Sequence, residues 1–172
     1  KTVGQKAISF QELDQLSDEV GAWFKVNELS EGSVVALCLP SHIEYIISYL
    51  AVAKIGGVTA GINPRFTSWE RQKVLATLKP DLVITAAGFD AGVSSEHKSE
   101  KIKLNQNINQ IMTQQRLTGE SLETLETNPD RPVCICFTSG STGKPKGAWF
   151  TNKQLQAISD LDTGGSWGGG GN

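Results

Sequence analysis

Between Val133 and Phe150 the chain reads VCICFTSGSTGKPKGAWF. An apolar run passes directly into a segment that holds Gly140, Gly143 and Gly147, the hydroxyls of Thr138, Ser139, Ser141 and Thr142, and the ammonium groups of Lys144 and Lys146. These residue types suit a polyphosphate. An anion with several charged oxygens needs many donors close by, and glycine lets successive backbone N–H groups turn toward one point with no Cβ in the way. Hydroxyls add donors that follow charge as it moves between oxygens, and lysine neutralises it. Pro145 stiffens the backbone between the two lysines. The spacing excludes two common phosphate loops. A Walker loop needs G-x-x-x-x-G-K followed by Ser or Thr, whereas Gly140 stands only three residues before Gly143 and Lys144 is followed by Pro145. The G-x-G-x-x-G pattern of kinases and dinucleotide-binding proteins is absent as well. A plain surface turn can share this composition, but the strand-like run ahead of it favours a cradle.

Other chemistry is thinly represented. Cys38, Cys134 and Cys136 lie in apolar, strand-like runs, and the two histidines, His42 and His97, are far from them in sequence, so no zinc ligand set is visible. The expectation is buried, reduced thiols of a cytoplasmic protein, with alternation placing Cys134 and Cys136 on one face of a strand. Sixteen basic and eighteen acidic residues give a formal charge of -2 with no long run of either sign, which argues against a nucleic-acid partner. The longest apolar candidate, IEYIISYLAVAKIGG, contains Glu44 and Lys54 and is too short to span a membrane. His42 reads as a solvated or capping residue, and Trp23, Trp69 and Trp149 as core or boundary packing.

The elements that must position the cradle follow from periodicity. In SFQELDQLSDEVGAWFKV the apolar positions Leu13, Leu16, Val20, Trp23 and Phe24 recur at helical steps, and Ser9 with Glu12 fits a capping box. EGSVVALCLP reads as turn residues and a buried strand ended by Pro40; a helix from His42 to about Ile55, apolar nearly all round, stops at Gly56-Gly57 before the strand VTAGI. This is a β-α-β unit. After Asn63-Pro64, Thr67-x-x-Glu70 opens an amphipathic helix that runs to Pro80 and the strand DLVITA. Such alternation predicts an α/β fold, a layered sheet with helices on its faces. The polar stretch from Ala86 to about Gln115, with its weak patterns IKLN and INQIM, predicts one edge strand plus loops. TLETNPDRP is a loop leading into the strand VCICF. Two readings of the tail GGSWGGGGN, residues 164–172, stay open: a flexible linker or tag, and a Gly-rich loop that needs further chain to order it.

The eleven residues FTSGSTGKPKG resemble the phosphate-loop signature of the adenylate-forming (AMP-binding) superfamily, which holds acyl-CoA synthetases, peptide-synthetase adenylation domains and luciferases. ISFQELDQLSDEVGAWF, the stretch from EGSVVALCLP to FTSWE, and PDLVIT are each similar to that family's amino-terminal region, in the same order. KTVGQKAISF lacks an initiator Met and a signal-peptide layout, so residues before Lys1 are expected to have been cut off. The resemblance implies that residues 1–172 are an amino-terminal fragment of the large AMP-binding domain, which in the family continues well past the position of Asn172. It further implies that ATP is held by Thr138, Ser139, Gly140, Ser141, Thr142, Gly143, Lys144, Lys146 and Gly147, with magnesium and coenzyme A as further reaction components.

The implied reaction is activation of a carboxylic acid, fatty or otherwise hydrophobic, as an acyl-adenylate, followed by thioester formation with coenzyme A. GGVTAGINPRFTSWE looks more like the synthetases than the peptide-synthetase domains. The alternatives are an adenylation domain that loads a carrier protein and an inactive nucleotide-binding fragment. No nucleophile, general base or protein metal ligand is assigned. By the same resemblance the adenine and ribose contacts, the magnesium carboxylate, most of the acyl pocket and a mobile carboxy-terminal domain with a catalytic lysine lie outside these residues, so the fragment alone is expected to be inactive. One departure is Thr151-Asn152 where the family often has Thr-His, which puts a secondary contact in doubt.

Overall fold

A computed structural model of the chain describes residues 8–85, 105–107, 122–138 and 145–163. Four helices and six strands are found among them: α1 (Phe10–Val26), β1 (Val34–Cys38), α2 (Ile43–Lys54), β2 (Val58–Gly61), α3 (Ser68–Leu78), β3 (Leu82–Thr85), β4 (Asn105–Asn107), β5 (Pro132–Thr138), β6 (Lys146–Thr151) and α4 (Asn152–Thr163). The expected α/β class is correct, and the first three helices sit where periodicity places them.

Both capping boxes form. The Glu12 N–H donates to the Ser9 hydroxyl at 3.1 Å while the Glu12 carboxylate accepts from the Ser9 N–H at 2.8 Å. The same exchange joins Thr67 and Glu70 at 3.3 and 2.7 Å. Each box satisfies donors that would otherwise be orphaned in a first helical turn. Helix α2 ends at Ile55, and Gly56 follows at φ +74°, a left-handed conformation that glycine adopts without strain.

The strands form one sheet in the order β4-β3-β1-β2-β5-β6. Neighbours from β4 to β5 run parallel, and β6 pairs antiparallel with β5 at the edge. Strand β1 is central, and residues 35–38 are buried on both faces. Its side chains alternate between layers. Val35 and Leu37 pack with Ile47, Ala51 and Val52 of α2 and with Val20 and Phe24 of α1. Ala36 and Cys38 pack with Val74 and Leu75 of α3. Helix α1 covers the outer side of α2, which explains why α2 is apolar nearly all round. The chain steps from β1 to β2 through α2 and then across to β3 through α3, on the opposite face. A single crossover hand demands that opposition.

Two further details concern α3 and the polar stretch. Helix α3 turns Arg71 inward along with Val74 and Leu75. The Arg71 guanidinium donates to the Phe66 carbonyl and, at 3.3 Å, to the Ser68 hydroxyl, so its charge sits against the turn that starts the helix. Of the polar stretch 86–115 only Asn105–Asn107 are described, and they form the expected edge strand; the rest of it, and the tail 164–172, lie outside the described residues.

Ser9→Ala is expected to lower stability in urea unfolding by about 1 kcal/mol, the usual value of an N-cap. Thr67→Ala destabilises for the same reason. Hydrogen bonds from Thr67 hold the Glu70 carboxyl below its ordinary value. The stabilisation from that pair is therefore present above the unfolded-state value and fades as pH falls through the lower folded one. Unfolding curves at neutral and acid pH should show the Thr67→Ala penalty shrinking in acid.

Candidate functional site

Strands β1, β2, β3 and β5 run parallel, so Cys38, Gly61, Thr85 and Thr138 all stand at one edge of the sheet. Helix α2 begins just past the end of β1 and helix α3 just past the end of β2, so the positive ends of two helix dipoles also lie toward this edge. In open sheets of this kind ligands bind outside the carboxyl ends of the strands. The run of glycines, hydroxyls and lysines leaves the sheet here.

It does so as the connection of a hairpin. Thr138 pairs with Lys146 and Phe137 with Gly147, which leaves the seven residues 139–145 to join the strands. Two to five residues suffice to close such a pair, so this loop is longer than the turn requires. Of the predicted site, Ser139, Gly140, Ser141, Thr142, Gly143 and Lys144 lie outside the described residues. Thr138 ends β5 as its last paired residue, and Lys146, exposed, begins β6 opposite it. Both flanks of the connection are thus regular strand.

Gly147 lies outside that connection. It sits within β6 at a position where a Cβ would lie 2.8 Å from Ile135 Cγ2 and 3.3 Å from Phe137 Cε1. Ile135 is buried, and with Phe137 packs toward Val58, Ala60 and Leu78. The bare backbone at Gly147 lets those two side chains lie flat across the hairpin.

The open end of the hairpin is tied down. Asn152 and Lys153 donate their backbone N–H groups to the carbonyls of Arg131 and Pro129, at 3.1 and 2.8 Å, and the Asn152 side chain donates to the Asn128 carbonyl at 3.1 Å. The Arg131 Nε lies 3.0 Å from a Glu31 carboxylate oxygen, joining the entry of β5 to the turn before β1. The Thr151-Asn152 pair is therefore a base fastening, five strand residues or roughly 17 Å from Lys146. Thr151 also caps α4, because its N–H donates to Gln154 Oε1 at 2.9 Å and its hydroxyl accepts from the Gln154 N–H at 3.4 Å. Sequence reasoning missed β6 and α4. The T-x-x-Q capping box, with Leu155, Ile158 and Leu161 at three-residue steps, was a signal for α4.

On the α2 side of the sheet, Tyr45 brings its hydroxyl over Gly61, 3.0 Å from where a Cβ would stand. Burial raises the phenols of Tyr45 and Tyr49 above their ordinary value, with the neighbouring Cys134 and Cys136 thiols adding to the effect. The cysteines depart from the expectation of burial. Cys38 is buried, Cys134 half-buried and Cys136 exposed, because β5 and β6 have little packed on that face among the described residues. Trp69 and Trp149 are likewise exposed; Lys73 lies over the Trp69 ring at 3.4 Å from its centre. His42 precedes α2, exposed, with no side-chain hydrogen bond to the helix. No group of three or more His, Cys, Asp or Glu side chains that could hold a metal occurs among the described residues, and no described helix is long and apolar enough to cross a membrane.

A parallel α/β sheet whose edge carries this loop defines a nucleotide-binding class of fold, and comparison narrows it. Residues 2–166 match the family described as AMP-binding enzyme, and the chain belongs to that family. It is 26% identical over 157 residues to 4-coumarate-CoA ligase 1 of Narcissus pseudonarcissus, covering 87% of this chain and 29% of the relative. It is 25% identical over 146 residues to the nonribosomal peptide synthetase aneB of Aspergillus aculeatus, covering 85% of this chain and 13% of the relative. Apo MatB from Rhodopseudomonas palustris has the same fold, with a TM-score of 0.80 and 22% identity over 94% of this chain and 33% of that one. The chain thus spans less than a third of the length of these two curated relatives. The fold is that of the amino-terminal domain of adenylate-forming enzymes.

Gly147→Ala is expected to destabilise the chain by about 1–3 kcal/mol, since the new methyl must displace buried Ile135. Urea unfolding measures it; unchanged stability combined with weakened nucleotide binding would assign Gly147 to the cradle instead.

Proposed function

We propose that the protein activates a carboxylic acid with ATP. The substrate carboxylate attacks the α-phosphorus, an acyl-adenylate forms, and pyrophosphate leaves. The connection between β5 and β6 does its work in this step. Amides and hydroxyls from Thr138 to Gly143, with Lys144 and Lys146, orient the β- and γ-phosphates and stabilise charge gathering on the departing pyrophosphate. That contribution is positioning and electrostatics rather than covalent catalysis. The observation that carries the reading is the long Gly/Ser/Thr/Lys connection, anchored by the Thr138–Lys146 pair at the carboxyl edge of a parallel sheet, in a chain of the AMP-binding enzyme family.

In the second step coenzyme A takes the acyl group as a thioester. Similarity to 4-coumarate-CoA ligases of Narcissus pseudonarcissus and Humulus lupulus supports this acceptor. Similarity to several nonribosomal peptide synthetases supports a second reading, transfer to a carrier protein. Thioester formation with free coenzyme A by the whole protein separates the two. A fatty or other hydrophobic acid as substrate rests on the likeness of the GGVTAGINPRFTSWE run to acyl-CoA synthetases. Magnesium would neutralise the phosphates when bound; the described residues offer no cluster for it, and no step is routed through it. Free thiols at all three cysteines fit a cytoplasmic location.

In the whole protein, Thr142→Ala combined with Lys146→Ala should slow ATP–pyrophosphate exchange by roughly tenfold or more, about 1.4 kcal/mol of transition-state stabilisation. An unchanged exchange rate removes the role given to the connection. The 172 residues by themselves should give no exchange, and turnover by them would overturn the view that further chain is required.

A further inference from the structure

Cys134 and Cys136 stand two apart on β5, and strand alternation turns both toward the face that carries α2. They are free thiols, one half-buried and one exposed, close to the phenols of Tyr45 and Tyr49. Nothing in the phosphate-binding role uses them. Cys38, the remaining thiol, points to the opposite face and is buried against α3.

We propose that Cys134 and Cys136 form a bidentate dithiol site for soft, thiophilic centres of the trivalent-arsenic type. Their backbone spacing favours a bridging atom over a direct bond. Residues i and i+2 of a strand are separated by about 6.6 Å, at the upper limit for a disulfide, whereas an inserted arsenic adds length between the sulfurs. Cys136, being exposed, leaves the outer side of the pair open. Burial pushes the Cys134 thiol up to about 11, so at neutral pH it is protonated and a poor lone nucleophile. Capture therefore begins at exposed Cys136 and closes at Cys134. With an organoarsenic oxide, two As–S bonds form and the arsenic–oxygen double bond breaks. The two thiol protons leave with that oxygen as water, and no atom changes oxidation state. The inference does not depend on the acyl-activation reading.

The test uses phenylarsine oxide with the 172-residue chain. Intact-mass measurement should show one arsenical per chain less one water, resistant to a monothiol wash and removed by ethanedithiol. Peptide mapping after iodoacetamide should find Cys134 and Cys136 both protected in the wild-type chain. Cys134→Ser and Cys136→Ser should each release the arsenical about a hundredfold faster, the scale on which a second tethered contact multiplies affinity. Cys38→Ala should not. No capture, retention in either serine variant, or alkylation of Cys134 or Cys136 beside bound arsenical would each overturn the proposal. The wild-type map needs no substitution, so it still decides the matter where a variant fails to fold.

Discussion

The burial of β1 on both faces is the constraint from which the rest of the architecture follows. Val35 and Leu37 need cover on one side and Ala36 and Cys38 on the other, so a single layer of helices cannot satisfy the strand. Helices α2 and α3 take opposite faces, and connections of that kind force the neighbouring strands to run parallel. Parallel strands finish together, and the helices that follow them start together. The edge that receives the β5–β6 connection is thus set by apolar packing around β1, which β2 separates from β5.

Much of this was legible because local and tertiary preferences agree. Ser9, Glu12, Thr67 and Glu70 announce helix starts through contacts that need only a few residues, and those contacts form as read. The buried strands announce themselves by unbroken apolar runs. What escaped depends on neighbours. The segment KGAWFT, opening with an exposed lysine and a glycine, carries no clear alternation; it is a strand because β5 offers it a ladder. Arg71 is turned inward where the carbonyl of Phe66 and the hydroxyl of Ser68 make a guanidinium tolerable. The cysteines misled for a related reason. An apolar run says that a strand can be buried, but burial needs a second layer, and on the α2 side of β5 that layer is thin among the described residues.

A motif invites one explanation for every glycine in it, whereas Gly147 answers to side chains across the hairpin, Ile135 and Phe137. Composition cannot distinguish a glycine needed for amides that turn from one needed for space. At Gly147 its neighbours do so, because an added Cβ would stand 2.8 Å from Ile135 Cγ2.

A loop that follows the moving charge of a polyphosphate must be adaptable, yet its ends cannot wander without losing the phosphate positions on which orientation depends. The hairpin separates these demands in space. At its base, Asn152, Lys153 and Arg131 hold β5 and β6 to the 128–131 turn and to Glu31. Six paired positions then carry that fixation along the strands to Thr138 and Lys146. Beyond them the sequence changes to glycines and small hydroxyls, and the two exits of that connection are held by a sheet whose own stability comes from elsewhere.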